Sequence, residues 1–289
     1  MVRVLRNWRG TTKIGEPFKS FNVILMDNKD VKIHAFISGN CADDLELHLR
    51  VGNVCSITNF DVQTYKTEDK FRCVDNDMHL TFKKDTKIKD IEEKGQTIPL
   101  ECFDFYDHNE LIKIANKNVY LTDVIGIVKN REDVELRDLV NRLGQRNLQS
   151  KFAITDGSSN VNVTFWDDLA KKIGHDLMQQ IEDPVIIIIT SCKVGTWNDQ
   201  VDISNVAATT YFLNHEHHSV KEIRKMLSNP NFAKKALQAK RKKKAELMTI
   251  ADIKKLGKES IEAEVITHAN IQSVEETNVW YYSICTGCK

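Results

Sequence analysis

The sequence predicts an all-β protein that contains tandem OB-folds, which are five-stranded Greek-key barrels, together with helical connecting segments. Two observations predict this class. The first is that short segments of alternating apolar and polar residues, separated by turns, occur in an order that repeats after about 130 residues, so that the chain contains two copies of one pattern. The second is that a helical stretch lies between the middle strands of each copy. Three strands, a helix and two further strands describe an OB-fold.

The elements of the two copies correspond in order. Each copy starts with a strand, continues with an apolar strand, a turn and an alternating strand that ends in an aromatic residue, and then has a helix and another strand. These segments are 2–9, 22–26, 31–37, 41–52 and 54–62 in the first copy, and 124–132, 151–155, 156–166, 167–181 and 185–194 in the second.

The resulting domain organisation has five parts. We predict a first OB-fold over residues 1–105, a linker over 106–120 and a second OB-fold over 121–214. Residues 215–257 lack strand alternation and are rich in Lys and Ala, which indicates a basic helical connector. Residues 258–289 are predicted to begin a third OB-fold.

Composition excludes several classes of protein. The chain has 289 residues, with 41 basic and 41 acidic side chains, and its longest apolar run, Val185–Ile189, is too short to span a bilayer. Its N-terminal residues lack the apolar core of a signal peptide. Seven irregularly spaced cysteines favour a reducing compartment over a disulfide scaffold. The sequence lacks a Walker loop, a GxSxG elbow and a GxGxxG motif, so we expect neither an enzyme nor a small-molecule or membrane ligand.

Charge is distributed unevenly. Residues 121–220 carry a net charge of −5 and residues 221–258 carry +10. Binding to a polyanion must therefore depend on cations placed on one face or on the basic segment. The run Lys240–Lys244 fits a nuclear-import signal, a phosphate-binding patch or a solvated helix face, and the sequence leaves these alternatives open.

Strand alternation selects residues that could meet a ligand. In the first copy it places Lys32, His34 and Phe36 on the outer face, with the apolar residues at 31, 33, 35 and 37 facing the barrel. In the second copy it places Asn162, Thr164 and Trp166 outside, with residues 161, 163 and 165 inside. Phe71 and Trp197 are predicted at the tips of later hairpins. Outward aromatic rings suit nucleic-acid bases, which stack on them with little sequence preference.

Cations near these rings would contact phosphates. The complete set of candidate DNA-binding residues is Arg9, Lys32, His34, Phe36, Phe71, Arg142, Arg146, Lys151, Asn162, Thr164, Trp166 and Trp197.

These features resemble the large, 70 kDa DNA-binding subunit of replication protein A, and the plant members in particular. Residues 18–36, 51–62 and 71–82 resemble its first central DNA-binding barrel, and 121–133 and 152–170 resemble the second. Residues 248–256 and 278–289 resemble the opening of the third barrel with half of its zinc ribbon. By this resemblance the stacking rings are Phe36, Phe71, Trp166 and Trp197.

The resemblance implies a nuclear single-stranded DNA-binding protein that acts in DNA replication, repair and recombination. Other replication protein A subunits are possible partners, although the N-terminal barrel and most of the third barrel, with its assembly region, are expected to be missing. Cys285 and Cys288 have zinc-ribbon spacing, but a structural zinc site needs four ligands, so we expect a zinc-finger remnant without metal or cofactor. The cluster His215–His218 does not match HExxH.

A second hypothesis remains open. Degenerate OB-folds can bind peptides or sister subunits through the same aromatic faces, and the acidic second copy is unusual for a DNA-binding domain. The sequence therefore leaves a protein–protein interaction module, without significant DNA binding, as the alternative.

Overall fold

The computed structural model describes residues 1–10, 16, 18–92, 95, 98–140, 144, 146–237, 246–255 and 265–267. The chain forms two compact units, Met1–Gln238 and Ala239–Lys289. Both predicted barrels lie in the first unit. The predicted all-β class with tandem OB-folds is confirmed.

The first barrel closes in the strand order β1-β2-β3-β5-β4. β3 and β5 run parallel, and β1 pairs with both β2 and β4, which is the OB-fold arrangement predicted from the sequence. Its interior is filled by residues such as Val23, Leu25, Ala35 and Phe82. Its elements are β1 (Val2–Trp8), β2 (Phe21–Met26), β3 (Lys32–Ile37), α1 (Ala42–Leu45), β4 (Val54–Thr64) and β5 (Met78–Asp90).

The second barrel repeats this arrangement. The strand pairings form a ring, β6-β8-β9-β11-β10, in which β9 and β11 run parallel, while β12 and β7 extend the sheet at β10 and β8. The elements, with the short helix that precedes them, are α2 (Leu111–Ile114), β6 (Thr122–Lys129), β7 (Leu136–Val140), β8 (Arg146–Thr155), β9 (Asn160–Trp166), α3 (Asp167–Met178), β10 (Ile186–Trp197), β11 (Gln200–Ser204) and β12 (Thr210–Leu213).

A helix closes each barrel between the third and fourth strands, as predicted. In α3 the buried residues Ala170, Ile173 and Leu177 follow helical spacing and pack into the core of the second barrel. One expectation for the first barrel was wrong: Val31 is 54% exposed, because it lies in the turn before β3 and not within the strand.

The predicted linker and the start of the connector both pack on the second barrel. The backbone N–H of Asn116, in the predicted linker, donates to the carbonyl of Val194 at 3.0 Å. Phe103, which the prediction placed in the first OB-fold, contacts Phe212 of β12 in the second barrel. α4 (His218–Leu227) and α5 (Pro230–Leu237) confirm the helical prediction. Val220 and Ile223 of α4 and Ala236 of α5 are buried. They cover Ile127 of β6 and Ile186 and Ile188 of β10.

The second unit is described over short segments. β13 (Glu246–Leu247) pairs in parallel with β14 (Val265–Ile266), and α6 (Ile250–Lys255) lies between them in the sequence. The run Lys240–Lys244 and the pair Cys285 and Cys288 lie outside the described residues. Across the described ranges, every helix is too short or too polar to cross a membrane.

Candidate nucleic-acid interface

The outer face of the first barrel carries a half-buried group of rings. Trp8 stacks on His34 with ring centres 5.7 Å apart and planes 12° from parallel, and Tyr65 lies 4.5 Å from His79. β3 and β5 bring these rings together because His34 pairs with His79 in register. Trp8, Tyr65 and His79 were not among the predicted site residues, although the alternation of β1 and β5 could have selected Trp8 and His79.

His34 is an uncharged member of this group. Its Nε2 donates to Asn22 Oδ1 at 3.0 Å, and its Nδ1 accepts from the Tyr65 hydroxyl at 2.8 Å. Burial, with a smaller effect of the neighbouring His79, lowers the pKa of His34 to about 4. His34 is therefore neutral at physiological pH and cannot serve as a cation for phosphate.

Phe36 and Phe71 supply exposed rings on this barrel. Phe36 projects from β3 with 37% of its surface exposed, whereas its neighbours Ala35 and Ile37 are fully buried. Phe71 is 45% exposed and lies in the β4–β5 connection, where its backbone N–H donates to the carbonyl of Asn118. The predicted outward position of both rings is confirmed.

Two predicted phosphate contacts of the first barrel are already paired with acids. Lys32 forms an ion pair with Asp104, and only 9% of its side chain is exposed. The guanidinium of Arg9 contacts Glu46 at 2.5 Å and Asp43 at 3.3 Å, and these contacts raise its pKa, with the Glu46 hydrogen bond as the largest cause. The expectation that both cations are free for phosphate does not hold in this structure, because carboxylates distant in sequence neutralise them.

The second barrel combines an exposed ring with an adjacent cation. Trp197, at the β10–β11 hairpin, is 58% exposed, and Lys151 Nζ lies 5.6 Å from its ring centre. Trp166 is half-buried where β9 enters α3, and its backbone N–H donates to Asn205 Oδ1 at 2.7 Å. Trp166 therefore offers less free surface than the alternation of β9 predicts.

The polar residues of β9 contact β11. Asn162 donates to Gln200 Oε1 at 3.2 Å. Thr164 is only 4% exposed, and its hydroxyl donates to Asp202 Oδ1 at 2.9 Å. The prediction that Thr164 faces a ligand was wrong, because the parallel pairing of β9 with β11 places Asp202 over it.

Of the two remaining predicted cations, the structure describes Arg146, at the start of β8. The side chain of Arg146 is 77% exposed and makes a 3.5 Å contact with Asp138 across the hairpin. All residues of β7 are exposed, so this hairpin projects from the barrel. Arg142 lies outside the described residues.

The two barrels touch directly. Arg6 Nη1 on β1 donates to Ser191 Oγ on β10 at 2.8 Å, and Ser191 is held by a hydrogen bond from its own N–H to Asp123. Arg72 of the first barrel lies over the rings of Tyr65 and Tyr120.

A cavity of about 460 Å³ opens beside this junction. Its lining includes Lys32, Asp104, Tyr106, Val119 and Leu121.

Among the described residues, no three His, Cys, Asp or Glu side chains are grouped to hold a metal.

Comparisons with known proteins agree with the fold. Residues 1–113 match the family model of a domain of unknown function, DUF223. The chain is 25% identical over 224 residues to a replication protein A 70 kDa DNA-binding subunit of Arabidopsis thaliana, covering 76% of this chain and 34% of that protein. It is also 25% identical over 217 residues to a second 70 kDa DNA-binding subunit from the same plant, covering 74% of this chain and 34% of that protein. The chain thus spans about a third of the length of these relatives.

A solved structure shows the same fold. A chain of a replication protein A heterotrimer bound to single-stranded DNA matches with a TM-score of 0.53 and 21% identity, covering 88% of this chain and 58% of that chain. The resemblance noted in the sequence is therefore confirmed: over about three quarters of its length this chain is similar to the plant replication protein A 70 kDa DNA-binding subunits.

Proposed function

We propose that this chain is a non-catalytic single-stranded DNA-binding protein whose two barrels hold one strand between them. The observation that carries the proposal is the pair formed by Trp197 and Lys151, an exposed ring with a cation over one face, on the outer surface of an OB-fold. A base can stack on the face of the ring that Lys151 leaves open, and the ammonium group supplies a nearby positive charge for phosphate.

The first barrel contributes rings more than charge. Phe36 and Phe71 are exposed for stacking, whereas Arg9 and Lys32 are paired with acids. We therefore assign stacking to both barrels, and phosphate contacts mainly to Lys151 and Arg146 of the second.

The cellular role follows from the relatives. Because proteins named as replication protein A 70 kDa DNA-binding subunits match about three quarters of the chain, we propose a role in DNA replication, repair and recombination in the nucleus. The related heterotrimer supports association with other subunits of that complex. We propose that binding requires no cofactor and no metal.

A salt titration tests the proposal. Binding of a fluorescent oligo-dT strand of about 20 nucleotides is measured by anisotropy at several salt concentrations. The logarithm of the binding constant should fall with log[salt] with a slope of about −0.7 for each phosphate neutralised. The matched variant Lys151→Gln should lower affinity and make this slope shallower by about one such contact.

The alternative, a protein–protein interaction module, is supported by the internal pairing of Arg9 and Lys32 and by the −5 charge of residues 121–220. It predicts no oligo-dT binding at any of these salt concentrations. Weak binding that is insensitive to salt and to Lys151→Gln would also favour it.

A further inference from the structure

Hydrogen-bond acceptors collect beside Trp197 on the outer face of the second barrel. Gly195, two residues before Trp197, pairs in register with Asp202 on β11 and has no side chain to cover the strand. A Cβ placed on Gly195 would lie 3.4 Å from Asn116 Oδ1 and 3.8 Å from the Asp202 carbonyl oxygen. The Asn116 amide nitrogen is already used, because it donates to Thr196 Oγ1.

The carboxylate of Asp202 has unused acceptor capacity. Thr164 donates to Oδ1, and Oδ2 has no hydrogen bond within the described part of the chain. An ionised carboxylate offers about four lone-pair sites, so one donor leaves most of them free. The side chain is half-buried, and burial raises its pKa even though the hydrogen bond from Thr164 and the charges of Lys151 and Lys193 act in the opposite direction.

These acceptors select the chemistry of a neighbouring ligand. A carboxylate repels phosphate, so a DNA strand on this face would direct its phosphates toward Lys151 and a base edge toward Asp202. Guanine presents adjacent N1–H and N2–H donors to a carboxylate, whereas thymine presents a single N3–H donor between two carbonyl acceptors. Proteins that do read a single strand sequence-specifically hydrogen-bond the edges of the splayed bases.

We propose that Asp202 gives the second barrel a preference for guanine over thymine at the base position next to Trp197. This inference rests on the proposed single-stranded DNA binding and adds a specificity-determining residue to it.

The test uses the full chain and three labelled strands of about 20 nucleotides. One is oligo-dT, the second has isolated deoxyguanosines at regular intervals, and the third has deoxyinosine at the same places. Inosine lacks the N2 amino group and otherwise resembles guanosine. We expect the guanosine strand to bind about fivefold more tightly than oligo-dT, because a well-formed pair of such hydrogen bonds discriminates by at least this factor. The inosine strand should lose most of the gain.

In the variant Asp202→Asn, the ratio of the affinity for the guanosine strand to the affinity for oligo-dT should fall to about one. Its matched control is Asp199→Asn, which removes the same charge from an exposed position on the same hairpin. Loss of a negative charge should raise the affinity of both variants for oligo-dT by a similar factor, so the ratio between the guanosine strand and oligo-dT is the informative quantity.

The outcomes separate the two proposals. Equal affinities of the wild-type chain for all three strands would overturn the guanine preference and leave DNA binding in place. The same follows if Asp202→Asn, shown folded by thermal denaturation, keeps the wild-type ratio. Absence of binding to every strand would instead remove the proposed function itself.

Discussion

The hydroxyl of Tyr65 donates a hydrogen bond to Nδ1 of His34 across 2.8 Å and so ties the residue that follows β4 to the middle of β3. Burial is the largest cause that raises the pKa of Tyr65, to about 12, so its proton is retained. The same environment keeps His34 neutral, and its other nitrogen donates to Asn22. A charged His34 would lose the Tyr65 donor and would leave a cation in a desolvated position.

This arrangement predicts that the stability of the first barrel depends on pH. The pKa of His34 is about 4 in the folded chain against 6.5 for an ordinary histidine, so between these values only the unfolded chain binds the proton. The contribution of His34 to the free energy of unfolding should therefore be complete above about pH 6.5 and should decrease as pH falls toward 4. The loss attributable to this group is at most roughly 3 kcal/mol. Urea unfolding at a series of pH values measures it.

His34→Gln should flatten this part of the pH profile while it lowers stability at pH 7. The exposed His175 provides the control, because His175→Gln should keep the wild-type slope. A slope that is unchanged in His34→Gln would show that other groups cause the acid sensitivity.

Trp197→Ala should weaken single-stranded DNA binding by about 1–3 kcal/mol, or roughly five- to 150-fold, because one stacking surface is lost. Trp197 is 58% exposed, so the melting temperature should change little. Met178→Ala on α3 is the matched control, because Met178 is also 58% exposed, and its affinity should equal that of the wild type. A large loss of stability with unchanged affinity would place Trp197 in the core and contradict its assignment.

Arg6→Ala should weaken the contact between the two barrels, because it removes the hydrogen bond to Ser191. Affinity for strands of about 20 nucleotides should fall by roughly fivefold, whereas affinity for strands of about 8 nucleotides, which one barrel can cover, should stay the same. Arg50→Ala removes the same charge from an exposed position of the first barrel and should affect both lengths equally. Equal losses for both lengths in Arg6→Ala would indicate a purely electrostatic role.

Gly157→Ala should destabilise the contact between the β8–β9 turn and α5. A Cβ on Gly157 would lie 2.4 Å from the Phe232 ring, and the residue has a φ of +87°. Gly52→Ala is the control because Gly52 has nearly the same φ, +88°, with no heavy atom within 4 Å of the added Cβ. We expect Gly157→Ala to cost about 1–3 kcal/mol more in the free energy of unfolding.

A double variant distinguishes the contact from the backbone strain. Phe232→Ala should recover part of the loss caused by Gly157→Ala, and the two changes should therefore be non-additive. Strictly additive effects would mean that the Phe232 ring moves aside without cost.

Much of the fold could be predicted from the sequence. The alternation of β3 and β9 determines which side chains enter each barrel, because successive side chains of a strand point to opposite faces. The helix between the middle strands of each copy distinguishes the OB-fold from a sandwich. Alternation placed the ring of Phe36 on the outside, and a predicted hairpin tip placed the ring of Trp197 there.

The state of the charged and polar residues was decided only by tertiary structure. Lys32 meets Asp104, and Arg9 meets Glu46, although the members of these pairs are 72 and 37 positions apart in the sequence. Periodicity shows the face on which a side chain lies, but it does not show which distant segment covers that face. Thr164 demonstrates the difference: the alternation of β9 turns it outward, and the parallel strand β11 then buries it against Asp202. Alternation is a property of neighbouring residues, whereas charge compensation and burial depend on long-range contacts that form when the barrels close.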